Sequence, residues 1–190
     1  QQAQSYPVLL DWWIGENTKG RHMWPGHNSS RAAQGGAAWG PDELNNQVRA
    51  TRAAAANGVG VAASGDIFFS MRSLMPAAPI SDKLSTELYA EPALIPASPW
   101  LGKAAPAAPA ARVRRDSVSH EFVLRVTPPA TARWITVRIR RVDRWSTQLL
   151  PATFHELALG RELAVSDAIV VTAVSRNGIE SRPRIITGVK

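Results

Sequence analysis

Residues 91–112, EPALIPASPWLGKAAPAAPAAR, constrain the chain more than any other stretch. Five prolines fall within these 22 residues. Each removes a backbone donor and pushes the residue before it away from helical angles, so no continuous helix can cross the segment. It reads as an extended, semi-rigid linker over 91–111. It also separates two stretches that follow different rules, residues 1–90 and 112–190.

The first stretch alternates helix and strand. Pro7 suits the first turn of a helix over 7–18, with Ser5 as candidate cap. Val8, Leu9, Trp12 and Trp13 recur along it at helical spacing, and Gly20 lies just past its end. RHMW (21–24) opens a short strand over 21–25, and a polar loop follows. PDELNNQVRATRAAAAN (41–57) is a helix: Pro41 opens it, Asp42 and Glu43 sit at its positive end, and Gly58 follows it. Leu44, Val48 and Thr51 form its packing stripe. GDIFFSM is then a strand over 65–71, and a short helix covers 81–90. Helix, strand, helix, strand, helix implies α/β architecture with a parallel sheet under helices.

The second stretch alternates with period two. HEFVLRV sets Phe122, Leu124 and Val126 on one face. WITVRIRRVD sets Ile135, Val137 and Ile139 inward and Thr136, Arg138 and Arg140 outward. AIVVTAVSRNG sets Ile169, Val171 and Ala173 on one face. About seven short strands separated by Pro, Gly and Asn turns imply an all-β sandwich.

Composition narrows the function classes. The chain of 190 residues holds no cysteine, which excludes disulfides, zinc–thiolate sites and thiol catalysis. No apolar run reaches the length of a membrane helix. The first residues lack the basic region and apolar core of a signal peptide. The net charge of +7 is uneven: residues 1–100 hold seven Lys/Arg against eight Asp/Glu, whereas 101–190 hold fifteen against seven. Such asymmetry fits either an anionic partner or solvated arginines on exposed strand faces.

Two resemblances follow from these motifs. VTAVSRNGIESRP (171–183) resembles the F strand and F–G turn of fibronectin type III domains, and the likeness extends over about 106–190. The chain departs from that family in lacking a Trp at the end of strand B and the usual Tyr on strand F, where Ile169 stands. In the first stretch LLDWW, WPGHNSSR, WGPDELNNQV, GDIFFSMRSLM and YAEPALIPASPWLGKAAPAAP occur in an order that resembles the end of a bacterial glycosyl hydrolase-like family ten protein. This resemblance implies the last strands and helices of an incomplete TIM-type (β/α)8 barrel over 1–90, with 21–25 and 65–71 as the last two strands. It also implies a C-terminal fragment whose partner is the missing N-terminal remainder of the barrel. Its unpaired sheet edges would favour an edge-mediated homo-oligomer.

Barrel active sites lie at the C-terminal ends of the strands. Trp24, His27, Asn28, Ser29 and Arg31 follow the first expected strand, and Ser70 and Arg72 follow the second. Aromatic rings stack on sugar faces, and Arg, Asn and Ser bond hydroxyls or carboxylates. The expected substrate-binding set is therefore Trp24, His27, Asn28, Arg31, Ser70 and Arg72, with Trp24, Asn28 and Arg31 carried by the resemblance. Alternative roles are a barrel plug for Trp24 and a loop ion pair for Arg31. Trp12 and Trp13 are expected to pack the helix, and Asp66 to serve a turn or cap at the opposite end.

Glycoside hydrolysis needs a positioned carboxylic pair. Glu16, Asp42, Glu43, Asp82, Glu87 and Glu91 all fall on helices or their ends, so no catalytic residue is assigned and the fragment alone is expected to be inactive. His22 and His27 fit no zinc spacing, His120 and His155 are isolated, and no metal or cofactor is expected. NGVGVAASG precedes its strand, unlike a dinucleotide fingerprint. Ser29 and Ser30 lack the glycine frame of a nucleophile elbow. Trp134, Arg138 and Arg140 share a strand face that could meet a polymer, without any nucleic-acid motif. The expectation is an extracytoplasmic glycoside hydrolase-like protein acting on a bacterial polysaccharide, such as peptidoglycan glycan. The alternative is a non-catalytic carbohydrate- or cell-wall-binding spacer.

Overall fold

The computed structural model describes residues 4–33, 39, 42–56, 63–75, 78–164 and 167–188. The chain divides into two units, Gln1–Ala90 and Glu91–Lys190.

In the first unit, α1 spans Tyr6–Glu16. Ser5 occupies its N-cap but makes no side-chain cap bond, so Pro7 in the first turn is what fixes the start. The helix stops two residues short of expectation because Asn17 turns on itself. The Asn17 Oδ1 accepts from the Arg21 amide at 3.0 Å, and its Nδ2 donates to the Arg21 carbonyl at 2.7 Å. Strand β1 (Gly26–Asn28) runs directly into a short helix α2 (Ser29–Ala33). Helix α3 (Glu43–Ala56) then leads to β2 (Ile67–Phe69), which runs into α4 (Met71–Leu74). Helix α5 (Ala78–Lys83) continues as a π-helical turn, Leu84–Leu88. The expected Pro41 start and Gly58 stop of α3, and most of NGVGVAASG, lie outside the described residues.

Strands β1 and β2 are parallel, with Gly26 opposite Ile67, His27 opposite Phe68 and Asn28 opposite Phe69. The first strand begins later than the sequence implies. Met23 bridges to Ala63, but Pro25 has no N–H to give, and the regular ladder starts only at Gly26. Alternation then sends His27 and Phe68 to one face and Asn28, Ile67 and Phe69 to the other. The first face is covered by the helices, whose core is Leu44, Val48, Leu74, Ile80 and Leu84, with Phe68 packed against it. The second face is open: Ile67 is 50% and Phe69 73% exposed. Val8, Leu9, Trp12 and Trp13 of α1 are exposed as well, so the two tryptophans pack edge to face on each other, 4.7 Å between centroids, rather than into a core. Two strands cannot form the ring that a barrel requires.

The second unit is a sandwich of two antiparallel sheets. Its strands are β3 (Ala110–Arg115), β4 (Phe122–Thr127), β5 (Trp134–Arg141), β6 (Arg144–Pro151), β7 (Glu156–Gly160), β8 (Ala168–Val174) and β9 (Arg184–Thr187). One sheet has the order β3-β4-β7 and the other β6-β5-β8-β9. This is the three-plus-four strand arrangement of a fibronectin type III-like sandwich. Phe122, Leu124, Val126, Ile135, Val137 and Ile139 form the core with Ile169, Val171 and Ala173. Each of these side chains except Ala173 contributes about 1.5–3 kcal/mol on burial.

Two features of this unit differ from the sequence reading. Thr136, expected to face water, is fully buried. Its hydroxyl bonds the Thr172 hydroxyl on the adjacent strand, and the Thr172 hydroxyl donates to Glu180 Oε1 at 2.6 Å. Glu180 also accepts from Arg138 at 2.9 Å, which covers the outer face of β5 with an ion pair. Second, residues 91–102 lie against the sandwich. The Ser98 amide donates to the Asn177 carbonyl at 2.8 Å, and the Thr147 amide donates to Glu91 at 2.7 Å. Gly178, at φ +76°, makes this approach possible, since a Cβ there would sit 3.0 Å from the Ile95 oxygen and the Ala97 Cα.

Candidate functional site

The strand ends of the first unit gather four of the six expected residues. Asn28 ends β1 and caps α2, its Oδ1 accepting from the Arg31 amide at 3.0 Å. Ser70 lies between β2 and α4 at the N-cap position, and the Phe69–Ser70 peptide is cis. The two strand ends are tied together: the Ser29 hydroxyl donates to the Ser70 carbonyl at 3.2 Å, and the Ser30 and Ser73 hydroxyls bond at 2.6 Å. Asn28, Arg31, Ser70 and Arg72 therefore share one edge. Arg31 lies over the Trp39 ring, 5.3 Å from its centroid, and Arg72 is exposed. Planar guanidiniums beside an amide and hydroxyl form a polar rim suited to sugar hydroxyls or a carboxylate.

Trp24 lies elsewhere. Because the ladder begins at Gly26, Trp24 precedes β1 and sits at the opposite end from Asn28. Its Nε1 donates to the Ser64 hydroxyl at 3.0 Å, and its ring stacks on His22. With Tyr6, Leu9, Leu10, Trp13 and Met23 it lines an apolar cavity of 300 Å³.

His27 is also not on the rim. It is 1% exposed on the helix-covered face, between the rings of Tyr6 and Phe68 at 5.4 and 5.3 Å. Strand alternation is the cause, since Asn28 takes the open face and His27 must take the other. The Nδ1 meets Gln47 Oε1 at 3.0 Å, and the Nε2 meets Asp66 Oδ1 at 2.6 Å. The Gln47 amide is oriented by its own Nε2, which donates to Glu43 at 2.9 Å. Both ring nitrogens thus have a side-chain oxygen as partner, and the bond to Asp66 is the shorter.

Asp66 is the hub of this network and not a turn residue. Its second oxygen accepts from the Tyr89 hydroxyl at 2.7 Å. Burial alone would raise the Asp66 carboxyl, but the bonds from His27 and Tyr89, with the attraction of His27, outweigh it and hold the group below its usual value. Burial and the Asp66 carboxylate push the Tyr89 phenol up. Tyr6 bonds Thr51 at 2.6 Å, and Thr51 donates to the Gln47 carbonyl. The sequence signal for this network was the spacing of Glu43, Gln47 and Thr51, four apart on one helix face beside the Leu44–Val48 stripe. The network fixes the two strands beneath the rim and contacts no open surface at His27.

Among the described residues no group of three or more His, Asp or Glu side chains could hold a metal ion. None of their helices is long and apolar enough to cross a membrane.

No family model matches the chain. A stretch of 112 residues, 56% of the chain, is 34% identical to the glycosyl hydrolase YngK of Bacillus subtilis (strain 168). The match covers 21% of that protein, so the chain spans about a fifth of the length of the curated relative it matches. Among solved structures, an Fn3-like protein from Clostridium thermocellum shares 24% identity, with 46% of this chain and 97% of that chain covered and a TM-score of 0.32. The glycoside hydrolase domain of Endo-D from Streptococcus pneumoniae R6 shares 19% identity over 45% of this chain and 15% of that chain, with a TM-score of 0.30. The chain is distantly homologous to a glycosyl hydrolase, and the strand order of its second unit is that of a fibronectin type III-like sandwich.

Proposed function

We propose that the chain serves carbohydrate chemistry, as part of a glycoside hydrolase-like protein that acts on a bacterial polysaccharide outside the cytoplasm. The first unit supplies the last two strands of a (β/α)8 barrel, and the sandwich accompanies it. One observation carries this reading. The β1–α3–β2 unit is packed by helices on one face, while the opposite face presents Asn28, Ile67 and Phe69 uncovered, with a polar rim at the strand ends. A barrel strand needs both faces covered, one by helices and the other by the barrel interior. The relative with 34% identity is a glycosyl hydrolase by name, which supports the same class. The remaining strands of the barrel are the first partner on this reading and the glycan the second; a peptidoglycan glycan is the candidate substrate.

No pair of carboxylates stands on the rim among the described residues, so the catalytic acid and base come from other strands. That same observation favours the second reading, a non-catalytic glycan-binding or spacer module. The test is retention on insoluble chitin, an uncharged β-linked N-acetylglucosamine polymer, together with reducing-sugar release. The chain is expected to be retained, with Arg72→Ala lowering retention severalfold, and to release no sugar. Sugar release by this chain would overturn the assignment of the carboxylates to other strands. Failure of retention would remove the rim as a sugar contact.

A further inference from the structure

A second polar feature is a cleft in the second unit. It has a volume of 830 Å³ and runs along β3, β4 and the start of β7, with Arg184 of β9 at its side. Its charged lining is Arg112, Arg125, Arg184 and Glu156, with His155 beside them. Register puts three of these in one row across the sheet, Arg112 opposite Arg125 and Arg125 opposite Glu156. They share the outer face, because Ala111, Leu124 and Val126 between them point into the core.

The charges in this row do not balance. Arg125 pairs with Glu156 at 2.5 Å. Among the described residues Arg112 and Arg184 have no carboxylate within ion-pair distance. Like charges directly opposite on neighbouring strands repel and destabilise the pair. An anion set between them removes that repulsion, and guanidinium forks match carboxylates two bonds at a time. Pro109 and Ala110 lie beside them, small groups that leave the cleft open to a chain lying across the sheet. The excess of basic residues in the second half of the sequence points the same way.

We propose that this cleft binds an acidic polysaccharide, a glycan chain carrying carboxylates at regular intervals, and so holds the protein on an anionic polymer. The inference rests on the carbohydrate reading above and adds the charge of the glycan and a second contact point. Arg112 and Arg184 supply the open guanidiniums, and Arg125 joins them when it shares its fork between Glu156 and the ligand. Nucleic acid is the competing polyanion, and the flat planar bases it offers find no Phe, Tyr or Trp ring among the groups lining this cleft.

The experiment is biolayer interferometry of the full chain against immobilised polygalacturonate, with dextran and single-stranded poly(dT) as comparators at physiological salt. Binding to polygalacturonate is expected, with none to dextran. Arg112→Gln and Arg184→Gln are each expected to weaken it about tenfold, as loss of a charge-assisted pair does. Arg161→Gln and Arg182→Gln remove the same charge outside the cleft and are expected to change affinity less than twofold. All four side chains are exposed, so an unchanged thermal transition serves as the folding control, and Arg112→Lys is expected to restore part of the affinity. Absence of polygalacturonate binding, equal losses in the variants outside the cleft, or tighter cleft-dependent binding of poly(dT) would each overturn the proposal. Chitin retention through the first unit is independent of these substitutions, so failure here leaves the broader carbohydrate reading standing.

Discussion

Replacing Asp66 by Ala should loosen the first unit and spare the second. Asp66 has a side chain only 4% exposed and accepts from His27 Nε2 at 2.6 Å and the Tyr89 hydroxyl at 2.7 Å. The Ala variant leaves the buried His27 Nε2 and the Tyr89 hydroxyl without their shared acceptor. Each lost hydrogen bond to the charged carboxylate costs about 1.5–3 kcal/mol, so the two together cost about 3 kcal/mol or more. The conservative Asp66→Asn keeps one acceptor and loses the charge, which costs about 1–3 kcal/mol by the difference between charged and neutral hydrogen bonds. Native-state hydrogen exchange reads both. With tenfold for each ~1.4 kcal/mol, the β1 and β2 amides should exchange about 150-fold faster or more in Asp66→Ala, and about 30-fold faster for a ~2 kcal/mol loss in Asp66→Asn. The sandwich strands provide an internal reference and should keep their protection. Unchanged protection of β1 and β2 in Asp66→Ala, or an equal loss in β5 and β8, would refute the reasoning.

Further outcomes follow from the same geometry. The folded Asp66 carboxyl titrates below its unfolded value of about 3.9, so the unfolded state binds the proton first, and its stabilisation is complete above that value and lost as pH falls through the folded one. Protection of β1 and β2 should therefore shrink between about pH 4 and more acidic pH in the native chain and much less in Asp66→Asn, as pH-dependent exchange would show. Gly178→Ala forces a side chain at φ +76° against Ile95 and Ala97, and a left-handed conformation alone costs about 1–2 kcal/mol. The amide of Ser98, bonded to Asn177, should then exchange faster, and retained protection there would contradict the close approach. Glu180→Ala strips the acceptor from the buried Thr172 hydroxyl and unpairs Arg138, for a loss of about 1–3 kcal/mol in denaturant unfolding of the sandwich.

Much of the fold was legible in the sequence because it depended on periodicity. The alternation of Ile135, Val137 and Ile139 and of Ile169, Val171 and Ala173 maps onto the observed core. The stripe of Leu44, Val48 and Thr51 is buried as expected. Thr136 was misread because alternation reports which face a residue takes and not what covers that face; Glu180 and Thr172 cover it from other elements. The site was less legible. The regular strand lies at 26–28 instead of 21–25, so Trp24 precedes it and His27 falls within it on the helix-covered face. Pro25 delays the ladder, and this alone moves Trp24 to the far end and His27 beneath the helices. Asn28, Arg31, Ser70 and Arg72 survive as a cluster because they sit in or beside the turns that follow the strands, where parity matters less. The arginine row of the second unit depends on pairing Arg112 with Arg125 across strands, and pairing is not written in local pattern.

The most direct measurement is backbone chemical-shift mapping with chitotetraose titrated into the full chain. Perturbations are expected at Asn28–Arg31 and Ser70–Arg72, the two strand ends tied by Ser30 and Ser73. The Trp24 end and the buried His27 network should remain unmoved. Perturbations confined to the cavity beside Trp13 and Trp24, or none in the first unit at millimolar sugar, would contradict the claim that these strand ends form the rim of a glycan site.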